Sequence, residues 1–188
     1  RKEDGYSTGD TVEQTAVDTA FGVIRFKSGA IGQLLMTDTS HGQSLGVSTV
    51  SGSKGTLFRP RSRSGESPRI VRNDETEIVG DALLELVPDF ELDETTSTLW
   101  NGARRISSYD MTFRDIDSKI LAYEYLDMVR AAESNGQPEV GPQEGMDALA
   151  LAYALMESGA SGLPVTVEDV AEGRISAFQT EIDAEMGI

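Results

Sequence analysis

The sequence predicts an α+β fold: an open, mostly antiparallel β-sheet with helices packed on one face. Three observations point to it. The first part of the chain alternates apolar and polar residues with a period of two, broken by glycine-rich turns. The last third switches to apolar steps of three and four. No strand–helix–strand alternation occurs, so no Rossmann unit is expected in this chain.

Residues 1–16 are polar and contain glycine, and read as a leader or loop. In the segment from Val17 to Phe26, Val17, Thr19, Phe21 and Val23 share one face at period two, which marks a strand. Lys27-Ser28-Gly29 is a turn, and Ala30 to Thr39 returns as a second strand, so 17–39 is a hairpin. Leu45 to Ser51 is a third strand and Gly55 to Arg59 a fourth.

The turn between strands three and four, Gly52-Ser53-Lys54-Gly55, has the composition of a phosphate loop but not its order. A loop of the form G-x-x-x-x-G-K-S/T places the lysine after the second glycine and leads into a helix. Here Lys54 precedes Gly55, and Thr56-Leu57-Phe58-Arg59-Pro60 is strand material stopped by proline. A hairpin turn with glycine at positive φ is the reading.

Residues 60–70 form a surface loop by composition, and short strands follow at Arg69–Arg72 and Glu75–Val79. The segment 81–103 has no assignable period, and Arg104–Tyr109 reads as one more strand. Within 115–135, Ile116, Ile120, Tyr123, Leu126 and Val129 make the apolar stripe of a helix that ends at Asn135-Gly136. A second helix runs from Pro142 to Ser158, with Met146, Leu149, Tyr153 and Met156 as its expected buried stripe. Thr166 is the N-cap of a last helical stretch over 168–183, with Asp169 near the first-turn amides. Residues 17–188 therefore read as a single α+β domain.

The chain has 188 residues, 32 acids and 16 bases, for a net charge of −16. That balance repels nucleic acid and anionic membranes. No apolar run reaches the roughly 18 residues of a membrane span, and a cytoplasmic location is the expectation. There is no cysteine, hence no disulfide, thiolate metal site or catalytic thiol. Only four bases are lysine, and twelve are arginine. Acid-rich, lysine-poor surfaces suit a halophilic, high-salt cytoplasm, where ions screen self-repulsion. The chain starts at Arg1 rather than Met, which makes a piece of a longer protein the expectation.

Candidates for chemistry are few. His41 is the only histidine, at a strand end beside Gly42. No G-x-S-x-G elbow and no H-x-x-x-H or C-x-x-C spacing accompanies it, so neither a triad nor a metal site is indicated. Asp18, Asp38, Asp115 and Asp117 could act as acid or base, but among 32 acids spacing selects no pair. Arg104-Arg105 and Arg61–Arg63 are basic islands, open to two readings: contact with an anionic substrate group, or pairing with acids of a partner subunit. His41, Arg104 and Arg105 are the candidate substrate contacts.

Several segments in order resemble a known family. They are Asp18-Thr19-Ala20, the run Ile24 to Gly32, the run Val50 to Leu57, Gly136 to Val140, Glu157-Ser158, Gly162 to Val167 and Phe178 to Asp183. Together they are similar to the C-terminal domain of the glucose–fructose oxidoreductase / inositol dehydrogenase / MocA family, over residues 16–60 and 115–188. The resemblance implies a domain that follows a Rossmann domain holding NAD or NADP. It implies a sheet that helps form a sugar or polyol pocket and the homo-oligomer interface, and hydride transfer in the intact enzyme. The family's Gly-rich cofactor loop, Glu-Lys-Pro motif and acid–histidine helix are not in this chain, so no catalytic residue carries over and the chain alone is expected to be inactive. The alternative is a stand-alone interaction or dimerisation module without catalysis.

The composition generates a first test. Denaturant unfolding at low ionic strength and in molar potassium chloride should show a higher midpoint in salt, because screening relieves repulsion among the excess acids. Equal midpoints would remove the high-salt reading.

Overall fold

A computed structural model describes residues 17–37, 39 and 46–187. It is α+β, with two open antiparallel sheets and six helices among the described residues. The strands come first and the helices follow. They divide into a two-stranded and a four-stranded sheet where the sequence suggested one. The chain clusters into two compact units, one built from 1–44 and 140–188 and the other from 45–139.

In the first unit, β1 (Thr19–Arg25) and β2 (Ile31–Thr37) form a hairpin. Its turn is closed by the Gly29 amide donating to the Phe26 carbonyl at 2.9 Å, with Gly29 at φ 89°. Register follows from the turn: Thr19 pairs with Thr37, Phe21 with Leu35 and Val23 with Gln33. Alternation then sends Ala20, Gly22 and Ile24 to the less exposed face, which α4 (Pro142–Ser161) covers, and Phe21 and Val23 to the other.

Helix α4 begins at Pro142, and the Glu144 carboxylate reaches back to accept from the Gly141 amide at 2.9 Å. It ends at Gly162, in the left-handed region at φ 67°. Its buried residues are Ala150, Ala154 and Glu157. The expected stripe is displaced: Met146, Leu149 and Tyr153 are exposed. Small side chains lie where the helix comes close to its neighbours, and the bulky ones flank that line. At Gly22 a Cβ would lie 2.3 Å from the Leu155 side chain, so the strand approaches the helix through a missing side chain.

The last helical stretch is two helices, α5 (Val167–Ala171) and α6 (Ala177–Met186). Thr166 caps α5 as the sequence indicated, its hydroxyl accepting from the Asp169 amide at 3.0 Å. Gly173 at φ 68° then breaks the helix, and the Arg174 amide donates to the Asp169 carbonyl at 2.8 Å. The restart at α6 has no side-chain cap of its own. Glu157 supplies it from α4: its carboxylate accepts from the Phe178 amide at 2.9 Å and the Gln179 amide at 3.2 Å. Glu157 is 1% exposed, so its charge sits among amides that the helix cannot satisfy internally. Tyr153 meets Phe178 edge-on, with ring centroids 6.4 Å apart.

The second unit is a meander, β3 (Ser48–Gly52), β4 (Gly55–Arg59), β5 (Arg69–Arg72) and β6 (Glu77–Val79), in sequence order. The Gly52–Gly55 turn is a hairpin, as read from the sequence. Only Gly55 takes a positive φ, and there a Cβ would meet the Val71 carbonyl oxygen at 2.3 Å. The unassigned segment contains two short helices, α1 (Ala82–Glu85) and α2 (Glu94–Leu99). Asp93 caps α2, accepting from the amides of Thr95 at 2.9 Å and Thr96 at 3.1 Å.

Arg104–Tyr109 is not a strand. The Arg104 carbonyl accepts from the Leu92 amide, and the Tyr109 amide donates to the Gly65 carbonyl. Each bond goes to a different segment, so no ladder forms. Helix α3 (Phe113–Ser134) packs on α2 through Ile116, which is 1% exposed, and ends at Asn135 in the left-handed region. Its stripe is buried only at the start, because Leu126 and Val129 are exposed.

Two predictions follow from these caps. Glu157→Ala leaves two buried amides without an acceptor and should lower stability by about 3 kcal/mol, with Glu157→Gln losing less; denaturant unfolding measures both, and equal stability of Glu157→Ala and wild type would refute the cap. Hydrogen bonds from Thr96 hold the Asp93 carboxyl below the usual carboxylate range. A depressed folded-state pKa contributes stability above the unfolded value of about 3.9, and that stability fades as pH falls through the folded value. Asp93→Asn should therefore flatten the acid limb of the stability–pH curve, and an unchanged limb would count against this role.

Candidate functional site

At the open end of the β1–β2 hairpin three threonine hydroxyls converge. Thr19 Oγ1 lies 3.0 Å from Thr37 Oγ1 and 3.3 Å from Thr39 Oγ1, and Thr37 and Thr39 are 3.0 Å apart. Register places Thr19 opposite Thr37, and the Thr39 hydroxyl lies within hydrogen-bond distance of both. All three are exposed. Each hydroxyl both donates and accepts, so the cluster can exchange internal bonds for bonds to hydroxyls of a bound molecule. Among the described residues no carboxylate or amine hydrogen-bonds to it.

Beyond the hydroxyls the same face carries four exposed apolar side chains beside Gln33 and Arg25. Phe21 is 62%, Val23 67%, Ile31 72% and Leu35 61% exposed. These four point away from the helix that covers the other side.

His41 and Asp38 lie outside the described residues. Arg104 and Arg105 belong to the second unit, and each has partners within it. Arg104 pairs with Glu91. Arg105 donates to the carbonyls of Leu84 at 2.6 Å and Val87 at 2.9 Å, which fastens the end of α1. Its Nε is buried without a partner among the described residues. Arg63 pairs with Asp117 at 3.2 Å. Asp115 accepts from the Thr112 hydroxyl at 2.7 Å and serves the start of α3. Among the described residues no group of three or more His, Asp or Glu could hold a metal ion.

The Gly52–Gly55 turn joins two antiparallel strands, so it is not the glycine turn between a strand and a helix N-terminus that cradles a pyrophosphate in a Rossmann unit.

The threonine cluster and Glu157 are the features that the sequence reading missed. The first had a signal, since a turn centred on Ser28 sets Thr19 against Thr37. The second had none, because one glutamate among 32 acids carries no mark of burial.

The sequence profile of the "oxidoreductase family, C-terminal alpha/beta domain" matches residues 2–167. The match takes in the middle of the chain, 61–110, which had carried no resemblance, and stops before Phe178–Asp183, which had. No curated protein and no solved structure matches. The profile match and the α+β architecture agree, and the chain belongs to the glucose–fructose oxidoreductase / inositol dehydrogenase / MocA oxidoreductase family as its C-terminal alpha/beta domain.

Proposed function

We propose that this domain binds substrate and assembles subunits for an oxidoreductase that transfers hydride between NAD or NADP and a sugar or polyol. Family membership over residues 2–167 carries the reading. The threonine hydroxyls supply contacts of the kind a polyol needs. The cofactor and the hydride step belong to a dinucleotide-binding domain. The chain's own residues bind and orient, and by itself it does not turn over.

Assembly uses the outer face of the hairpin. A seven-residue strand is about 24 Å long and neighbouring strands are about 5 Å apart, so the two-stranded face covers only a few hundred Å². A stable interface takes about 800 Å² per partner. The hairpin therefore supplies the apolar centre of the interface and other surfaces its rim. Two chains of net charge −16 repel one another, so association should strengthen with salt.

Sedimentation tests the assembly. The chain should sediment as a dimer or larger, more so at higher salt, and the double variant Phe21→Asp/Leu35→Asp should be a folded monomer. A wild-type monomer at every salt concentration would end the proposal. For the enzyme reading, a protein that joins this domain to its dinucleotide-binding domain should reduce NAD or NADP with a polyol. Thr19→Val/Thr37→Val should raise KM by about tenfold, as for the loss of a pair of hydrogen bonds. Activity indifferent to that change would move the substrate elsewhere, and an assembled but inactive protein would favour the interaction-module reading.

A further inference from the structure

Positive charge in the second unit is concentrated. From Lys54 to Arg72 the chain carries six bases (Lys54, Arg59, Arg61, Arg63, Arg69 and Arg72) and one acid, Glu66, within a chain of net charge −16. Two of the arginines have carboxylate partners. Arg69 pairs with Glu77 at 2.5 Å and lies 4.3 Å above the Phe58 ring. Arg63 pairs with Asp117 and lies 5.4 Å above the Phe113 ring. Arg59 and Arg61 have no carboxylate at ion-pair distance among the described residues.

Arg59 and Arg61 line a hollow of about 310 Å³, together with Arg63, Ser62, Ser108 and Tyr109. Its two walls are tied by backbone. The Tyr109 amide donates to the Gly65 carbonyl at 2.9 Å, and the Ser64 amide to the Arg61 carbonyl at 3.1 Å. Gly65 is buried at φ 77°, where a Cβ would lie 2.1 Å from the Tyr109 carbonyl oxygen. The loop is therefore locked against the 106–109 segment, and the hollow exists before any ligand arrives.

We propose that this hollow binds a small polyanion, a phosphorylated or multiply carboxylated molecule. Two guanidinium forks without carboxylate partners match the oxygens of phosphate or carboxylate in pairs. Ser62 and Ser108 add hydroxyls at the rim, while Ser107 already donates to Asp81. The volume lies at the small end of the roughly 300–1,000 Å³ range of ligand pockets, which admits a phosphate ester or tricarboxylate and not a dinucleotide. Glu66 on the lining and Asp117 on Arg63 offset two of the three positive charges. Bidentate hydrogen bonding, not bulk potential, then selects the ligand, and a Kd of about 1 mM or tighter is expected at low ionic strength. The site lies outside the hairpin and does not depend on the function proposed for it.

Titration calorimetry on the full chain tests this with pyrophosphate and citrate, and with glucose as the neutral control. The expected result is saturable one-to-one binding of at least one anion, none of glucose, and at least a tenfold loss in Arg59→Ala/Arg61→Ala. Both positions are exposed, and circular dichroism should show the variant folded. Absence of saturable anion binding to the wild type would overturn the proposal. So would affinity retained within about twofold in the double variant, which would mean diffuse attraction. If the variant instead dissociates an oligomer and leaves anion binding intact, the arginines pair with acids of a second copy and the site is not a ligand site.

Discussion

The first unit depends on one buried carboxylate. Helix α6 begins where the chain restarts after Gly173 with no cap of its own, and Glu157 of α4 accepts from two of its first amides. A charged acceptor inside a packed unit is tolerated because those amides have no other partner and the helix dipole favours negative charge there. The bond joins two helices that short loops alone would leave free to pivot. It also fixes which side of α4 is buried, namely the line of Ala150, Ala154 and Glu157. Beside that line the Leu155 side chain sits over Gly22, where a Cβ would meet its tip at 2.3 Å.

A consequence reaches the hairpin. The face toward α4 carries Ala20, Gly22, Ile24, Leu34 and Met36, and the opposite face carries Phe21, Val23, Ile31 and Leu35 beside Arg25 and Gln33. Four large apolar side chains thus lie on the uncovered face. Antiparallel sheets usually turn polar residues outward, so an apolar outer face is the feature that needs a partner. A high acid content pulls the other way, because it keeps copies apart unless salt screens them. If copies associate as proposed, short-range apolar contact would work against long-range repulsion, and ionic strength would set the balance.

Much of the architecture was legible because it is local. The turn at Lys27-Ser28-Gly29, the hairpin at Gly52–Gly55, the Asn135 helix end and the Thr166 cap are each set by a few neighbouring residues, and each stands where the sequence placed it. The division of the strands into two sheets was not legible, since pairing between distant strands leaves no mark in either. Arg104–Tyr109 reads as a short strand but has no single partner to ladder with. The α4 stripe was misjudged because bulk was taken for burial, whereas close packing there uses alanine. Of the candidate site, Arg104 and Arg105 were visible as charges, but their engagement with Glu91 and with the end of α1 depends on folds of the chain that no spacing encodes.

The arrangement behind the proposed role is a helical support and a hairpin with threonine hydroxyls at one end and exposed apolar side chains along its outer face. The most direct measurement is native-state hydrogen exchange at the Phe178 and Gln179 amides. The account predicts that both open with the same free energy as the β1–β2 amides, as members of one cooperative unit that Glu157 closes. Rapid exchange at Phe178 and Gln179 while the hairpin stays protected would show that the buried carboxylate does not hold the unit together.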